Sequence, residues 1–423
     1  MKKTILTLII ALLGTMCATA QRTNKVHITL IPDHSDALYS VGQKATFKAV
    51  VTDCGMALDG AMLHFEVSED LMAPHRTDSV KLTHGEATIK AGTMKKFGFL
   101  RVKATVTHQG HKYTGLSTIG FNAHELTPTC QLPDDFMEFW NAGVEAVRKV
   151  DLAPVMTLLP DRCTDKVDVY HISYGNINNS RMYGMLTMPK APGKYPAILR
   201  LPGAGVGEKS GDIAHAAQGA IILELGIHGI PVNLEGSIYA DLGRSVLASY
   251  HTYNNDNRYA YYYRRVYLGC VRGVDFLLSL PQCNGNIGTL GGSQGGALST
   301  AVSALDSRVK ATAIYFPALC DHEGYINRQA GGWPHFFKSE ANRSKAKIEA
   351  MRYYDTANFA RFLKAPVFYA YGYNDLTCAP TTTCATYNII TAPKTLSIGQ
   401  NTGHWLYPEQ NNDMWQWIIN QLK

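Results

Sequence analysis

The stretch Gly291-Gly292-Ser293-Gln294-Gly295-Gly296 sets a serine between pairs of glycines, in the pattern G-x-S-x-G. The apolar residues Ile287-Gly-Thr-Leu290 precede it, and a run of small residues from Gln294 to Leu305 follows. A strand, a tight turn and a helix in that order hold a serine hydroxyl at the carboxyl edge of a sheet, and the glycines leave room for the turn. The bland alternative is an ordinary glycine-rich strand-to-helix turn. A serine hydroxyl is a weak nucleophile and needs a base. Asp375 closes Tyr371-Gly-Tyr-Asn-Asp375, directly after the apolar run Pro366 to Ala370, and His404 in Thr402-Gly-His-Trp405 is the only histidine beyond it. The rival acid, Asp355, comes before that run instead of after it. Serine, aspartate and histidine in this order suit acyl transfer. Ser293 attacks a carbonyl, His404 takes its proton and returns it to the leaving group, and Asp375 orients the imidazole and stabilises its cation. The expected oxyanion donors are the backbone N–H of Gln294 and that of Ala204, with Gly203 close behind, in the loop Pro202-Gly-Ala-Gly205. A base that must be neutral implies activity rising through about pH 6 to 7.

These residues need a sheet and helices to bring them together. Arg181 to Met188, Tyr195 to Leu201, Ala220 to Leu225, Ile287 to Leu290, Ala311 to Tyr315, Pro366 to Ala370 and Lys394 to Ile398 read as strands. Between and around them lie helical patterns. One starts at Asp134 or Asp135, which can cap it, with Phe136, Phe139, Trp140, Val144 and Val147 on one face. Another runs from Tyr263 to Leu278, and a closing helix carries Met414, Trp415, Trp417, Ile418 and Ile419. Alternation of this kind predicts an α/β fold, a mostly parallel sheet with helices on both faces, of the α/β-hydrolase type. The front of the chain differs. Lys25 to Ile31, Lys44 to Val51 and Phe99 to Val106 alternate at period two, and turn residues at Gly42, Gly55, Gly85 and Gly110 separate such segments. This predicts a small immunoglobulin-like β-sandwich over 21–125, ahead of a catalytic domain over 126–423.

Composition narrows the field. The chain has 423 residues, 17% of them charged, and a net charge of +6 without a block of basic residues, which argues against nucleic-acid binding. Residues 1–20 read as a secretory signal: Lys2 and Lys3, an apolar stretch from Thr4 to Leu13, and Ala18-Thr-Ala20 for cleavage. Lipid attachment at Cys17 is the lesser alternative, since Met16 stands where a small residue is expected. Export places the protein in the periplasm or outside the cell, and no segment reads as a membrane span. Eight cysteines remain after residue 20 and allow 105 pairings, so no disulfide is assigned. Gly203-Ala-Gly-Val-Gly207 lacks the full spacing of a nucleotide loop, and no metal-ligand pattern is present. No cofactor and no metal are expected.

Longer strings carry a resemblance. Pro133-Asp-Asp-Phe136 with Phe139-Trp140, Tyr261-Tyr-Tyr-Arg-Arg-Val-Tyr-Leu268 with Val271-Arg272, the glycine-flanked Ser293, and Asp375 followed by Cys378-Ala-Pro380 resemble the acetyl xylan esterase and cephalosporin-C deacetylase family, carbohydrate esterase family 7. The likeness runs from about Leu132 to the carboxyl terminus. It implies that Ser293, Asp375 and His404 form the triad, and that acetyl groups are removed from xylo-oligosaccharides and other small acetylated compounds without a cofactor. Three positions depart from the family. Gly226-Ile-His-Gly-Ile-Pro231 stands where Arg-Gly-Gln is typical, Pro202-Gly-Ala204 where His-Gly-Tyr is usual, and Trp405 where Glu is usual. The expected partner is an acetylated carbohydrate, with a homo-oligomer allowed. A general short-chain carboxylesterase, a deacetylase of another glycan and a non-catalytic glycan-binding protein are the competing readings. Aromatic residues around Tyr250 to Tyr263 and Trp333 are offered as sugar-stacking groups.

Overall fold

A computed structural model describes residues 24–423. The export signal expected over 1–20, and Cys17 with it, lie outside the described residues. The period-two segments form strands. Val26–Pro32, Ala45–Asp53, Met56–Ala57 and Glu86–Gly92 make one antiparallel sheet. Leu38–Tyr39, His111–Phe121, Gly98–His108, Met62–Glu69 and Arg76–Lys81 make a second, antiparallel except where Leu38–Tyr39 joins it. Alternate side chains of both sheets, Phe47, Val51, Phe65, Val67, Val102 and Val106 among them, point into a shared core. The sheets approach closely at Gly115, where a Cβ would lie 2.5 Å from the carbonyl oxygen of Ile28.

Alternation breaks along residues 98–102 and along their pairing partners 117–121, where every position is buried. Arg101 shares one face of its strand with Lys103, opposite Leu100 and Val102, yet it is 5% exposed and Leu100 is 1% exposed. Both faces of this strand are covered there because its outer face meets the α/β part of the chain. Phe99 packs edge-on against Tyr373 at 5.2 Å, and Lys96 Nζ donates to the carbonyl of Arg328 at 3.1 Å.

The α/β part is built on a nine-stranded sheet. Val155–Leu158, Val167–Asn176, Ser180–Pro189 and Ile221–Gly226 pair antiparallel in that order. Ile221–Gly226, Tyr195–Leu201, Cys283–Gly292, Val309–Tyr315, Val367–Gly372 and Lys394–Gly399 then continue in parallel. Successive residues of the central strands enter different cores. Ala197 and Leu199 join the core shared with helices Phe136–Arg148, Tyr262–Ser279 and Gln294–Leu305, while Ile198, Leu290 and Phe368 pack with Met414, Trp415 and Ile418 of helix Pro408–Leu422. Helices therefore cover both faces, and every parallel strand delivers its carboxyl end to one edge. Among the described residues no helix is long and apolar enough to cross a membrane.

Two local expectations need correction. Asp135 sits at the amino end of helix Phe136–Arg148 but makes no capping bond. Its carboxylate is taken by Arg258, at 2.9 Å, and by the Tyr353 hydroxyl, which competes with the helix N–H groups. Of the aromatics offered for sugar stacking, the tyrosines at 250, 261 and 263 are buried, while Tyr253 and Tyr259 are exposed. All eight cysteines among the described residues are free thiols.

Candidate active site

Ser293 stands between strand Cys283–Gly292 and helix Gln294–Leu305 with φ 56° and ψ −126°. A left-handed φ at a non-glycine residue is strained and persists only where the surroundings enforce it. Here they do. A Cβ on Gly292 would fall 1.9 Å from the Tyr315 ring, one on Gly291 2.4 Å from the carbonyl oxygen of Gly295, and one on Gly295 2.2 Å from that of Leu201. The glycines are thus required by close approach, and the turn they permit aims the serine side chain off the edge of the sheet.

Asp375 and His404 come from the loops after the next two strands along that edge, Val367–Gly372 and Lys394–Gly399. The loops are stitched together: Asn374 N donates to the Thr402 carbonyl at 3.0 Å, and Tyr373 N to that of Gly399 at 3.0 Å. Asp375 is fully buried. Its Oδ1 accepts from the N–H groups of Thr377, at 2.7 Å, and Cys378, at 2.9 Å. Its Oδ2 lies 2.7 Å from His404 Nδ1. That contact assigns the proton of a neutral imidazole to Nδ1 and leaves Nε2 as the acceptor. The Phe316 ring packs 4.3 Å from the His404 ring and limits its rotation. The Ser293 hydroxyl lies beside the Cys378 thiol, which is itself within 4.8 Å of the Asp375 carboxylate and the imidazole. Among the described residues no hydrogen bond joins Ser293 to His404. Such bonds commonly tighten only when substrate is present.

Free N–H groups converge on the same edge. Gln294 begins its helix, and among the described residues its N–H has no acceptor, nor do those of Gly203 and Ala204 in the exposed loop opposite. The Gln294 side chain holds that loop in place. Its Nε2 donates to the carbonyls of Gly203, at 3.1 Å, and Pro202, at 3.3 Å. Its Oε1 accepts from the hydroxyls of Tyr250, at 2.6 Å, and Tyr263. His228 completes the support: one ring nitrogen lies 2.9 Å from the Gly205 carbonyl and the other 2.7 Å from the Tyr262 hydroxyl. Burial pushes the His228 imidazole below its ordinary pKa, so it serves as a neutral hydrogen-bonding group. Tyr250 and Tyr263 were offered as sugar-stacking groups and not as supports of this loop, and His228 was given no site role. The departure at Gly226-Ile-His-Gly-Ile-Pro231 was the one sign that something unusual stood there.

Asp355 is not placed as the acid. It is buried, with its carboxylate turned to the N–H groups of Asp321, His322 and Ala357 at 2.7 to 2.9 Å. Asp375, Cys378 and His404 could in principle gather around a metal ion. Burial, however, pushes the Cys378 thiol well up and keeps it protonated, a poor ligand, while the other two side chains engage each other. A cavity of about 640 Å³ beside Pro133, Asp134, Arg258, Arg352 and Tyr353 contains none of these residues. The serine, the imidazole, the carboxylate and the free N–H groups converge at the sheet edge instead.

Residues 122–421 match the family described as acetyl xylan esterase (AXE1). Across its full length the chain is 36% identical to acetyl esterase Axe7A of Xylanibacter ruminicola, covering 98% of that protein. Its structure resembles the acetyl xylan esterase from Paenibacillus sp. R4, with a TM-score of 0.60 at 25% identity, over 71% of this chain and 98% of that one. It shares the fold of acetyl xylan esterase 1 from Thermoanaerobacterium sp. JW/SL YS485, with a TM-score of 0.59 at 22% identity and the same coverage.

Proposed function

This chain belongs to the acetyl xylan esterase family and is a carboxylic-ester hydrolase, and we propose that it removes acetyl groups from acetylated xylan or xylo-oligosaccharides through an acyl-enzyme on Ser293. His404 accepts the serine proton at Nε2 while Asp375 holds Nδ1 and stabilises the cation that forms. The carbonyl oxygen, negative in the tetrahedral intermediate, is received by the N–H groups of Gln294 and Ala204, with Gly203 adjacent. The His404 imidazolium then gives its proton to the sugar's ester oxygen as the C–O bond breaks, freeing the sugar hydroxyl, and water, activated by the same imidazole, cleaves the acetyl-serine ester to release acetate. The 2.7 Å contact between Asp375 Oδ2 and His404 Nδ1, in loops sewn together beside the serine turn, carries this reading.

Export under the signal at 1–20, and a division near residue 125 between a sandwich domain and a catalytic domain, belong to the same proposal, as does self-association. The test is hydrolysis by wild type and Ser293→Ala of acetylated xylan, p-nitrophenyl acetate and a peptide anilide in parallel, read as acetate from the two esters and as aniline from the anilide. Wild type should act on the first two. Ser293→Ala should lose on the order of 10³-fold or more of that activity and still bind glycan. Acetate release that survives the substitution would refute Ser293 as nucleophile. Preference for the small ester over the polysaccharide would favour a general short-chain esterase.

A further inference from the structure

The loop that carries Asp375 runs from the end of strand Val367–Gly372 to the start of helix Pro380–Asn388, and both of its ends touch the amino-terminal sandwich. At the first end, Arg101 Nη2 donates to the carbonyl oxygens of Asp375, at 3.1 Å, and Tyr373, at 3.4 Å. Among the described residues no other donor reaches either carbonyl. At the second end, Asp70 Oδ2 accepts from Thr381 N at 3.1 Å and from its hydroxyl at 2.8 Å. The two sandwich residues are themselves paired. Arg101 Nη2 lies 2.8 Å from Asp70 Oδ1, an attraction of charges without hydrogen-bond alignment, and Arg101 Nε donates to Thr118 Oγ1 at 2.9 Å. Arg101 and Asp70 are 5% and 2% exposed.

A buried ion pair is weak support for stability, because removing two charges from water offsets much of their attraction. Its better-attested use is to fix a geometry. An imidazole held through Nδ1 is only as well placed as the carboxylate that holds it, and small displacements at a reacting centre cost rate far more than they cost binding. We propose that Arg101 and Asp70 are positioning residues for the esterase reaction: together they grip both ends of the Asp375 loop and so set the carboxylate that orients His404. The sandwich is then part of the working active site instead of an appendage to it. The inference rests on the reading of Asp375 as the catalytic acid.

The experiment uses the full chain and compares wild type, Asp375→Asn, Arg101→Lys and Asp70→Asn. Lysine keeps the charge but lacks the Nε–H that ties the side chain to Thr118 while its head reaches the loop carbonyls. Asparagine keeps the acceptor for Thr381 and removes only the charge, so Asp70→Asn carries the test where an Arg101 variant fails to fold. For Arg101→Lys and Asp70→Asn, kcat per folded molecule should fall about 10- to 100-fold. KM should stay within about twofold, because the pair touches no substrate. The downfield proton resonance of the His404–Asp375 hydrogen bond should broaden or shift in both. Wild-type kcat and an unmoved resonance in folded variants, whatever their melting temperature, would overturn the proposal and leave the pair a structural contact. Undiminished activity in Asp375→Asn would instead overturn the reading of the acid beneath it.

Discussion

Strand Ala45–Asp53 of the sandwich alternates buried with more open positions along most of its length, whereas Val367–Gly372 of the large sheet is buried at every position. The first has water on one side, and the second has helices or loops on both. The two regions differ again in how they treat polar groups. Among residues 24–121 the buried polar side chains are Asp70, Arg101, Ser117 and Thr118, and three of those four bond to one another or to the Asp375 loop. Histidines at 27, 64, 75 and 84 stay exposed. The α/β region instead buries a long series of polar side chains, including Asp321, His322, Asp355 and Asp375. Burial of a polar group is costly unless it is bonded. Where the sandwich accepts that cost, it does so at the face that reaches the site.

Three substitutions can break or sharpen this contrast. Phe47 is fully buried in the sandwich core, so Phe47→Ala should cost about 3 to 5 kcal/mol in urea unfolding. The molecules that remain folded should keep their KM. A large loss of stability with full activity fits a supporting sandwich, and no loss of stability would contradict the core described above. Gly292→Ala should do the reverse. Its new Cβ would need the Tyr315 ring, 1.9 Å away, to shift, and Tyr315 O is the acceptor for Ser293 N at 3.1 Å. The expected fall in kcat/KM is about 100-fold, or about 2.7 kcal/mol, read with p-nitrophenyl acetate. Unaltered kinetics would show that the serine turn tolerates a side chain there.

The smallest effect concerns acid. Burial drives the His322 imidazole down to about 3, and neither ring nitrogen has a partner among the described residues. The unfolded chain takes up a proton near pH 6.5 that the folded chain refuses, so this group favours unfolding as pH falls below about 6.5 and continues to do so until about 3. Asp355, pushed up to about 7 chiefly by burial, stabilises the fold at low pH and loses that contribution as pH rises from about 4 to 7. It opposes His322 and is present in both proteins compared. Between pH 7 and pH 5, His322→Leu should therefore lose about 2 kcal/mol less stability than wild type. Equal losses would mean that the imidazole titrates in place.

The sequence was most readable where local chemistry leaves few choices. Glycines around Ser293 mark a turn that only they permit, Tyr195–Leu201 and Gln294–Leu305 follow their apolar and small-residue runs end to end, and chain order alone singles out His404 after Asp375. Elements whose residues are open to solvent left no pattern to read: Val155–Leu158 is exposed at every position and Arg76–Lys81 at nearly every one. The burial of Arg101 left no sign for the opposite reason. Alternation assigns a residue to one face of its own sheet and says nothing of a second body that covers that face. The loop support from Tyr250, Tyr263 and His228 was hidden in the same way, since hydrogen bonds between distant segments carry no sequence period.

The grip of Arg101 on the Asp375 loop joins residues 274 positions apart. A polypeptide that emerges amino end first, from the ribosome or from an export channel, presents the sandwich well before that loop, and domains generally fold in the order in which they emerge. The last strands of the large sheet therefore settle against a surface that already exists, and the loop is moulded on a finished template. Catalytic competence arrives with the final segments of the nascent chain, after the earliest ones have prepared their seat.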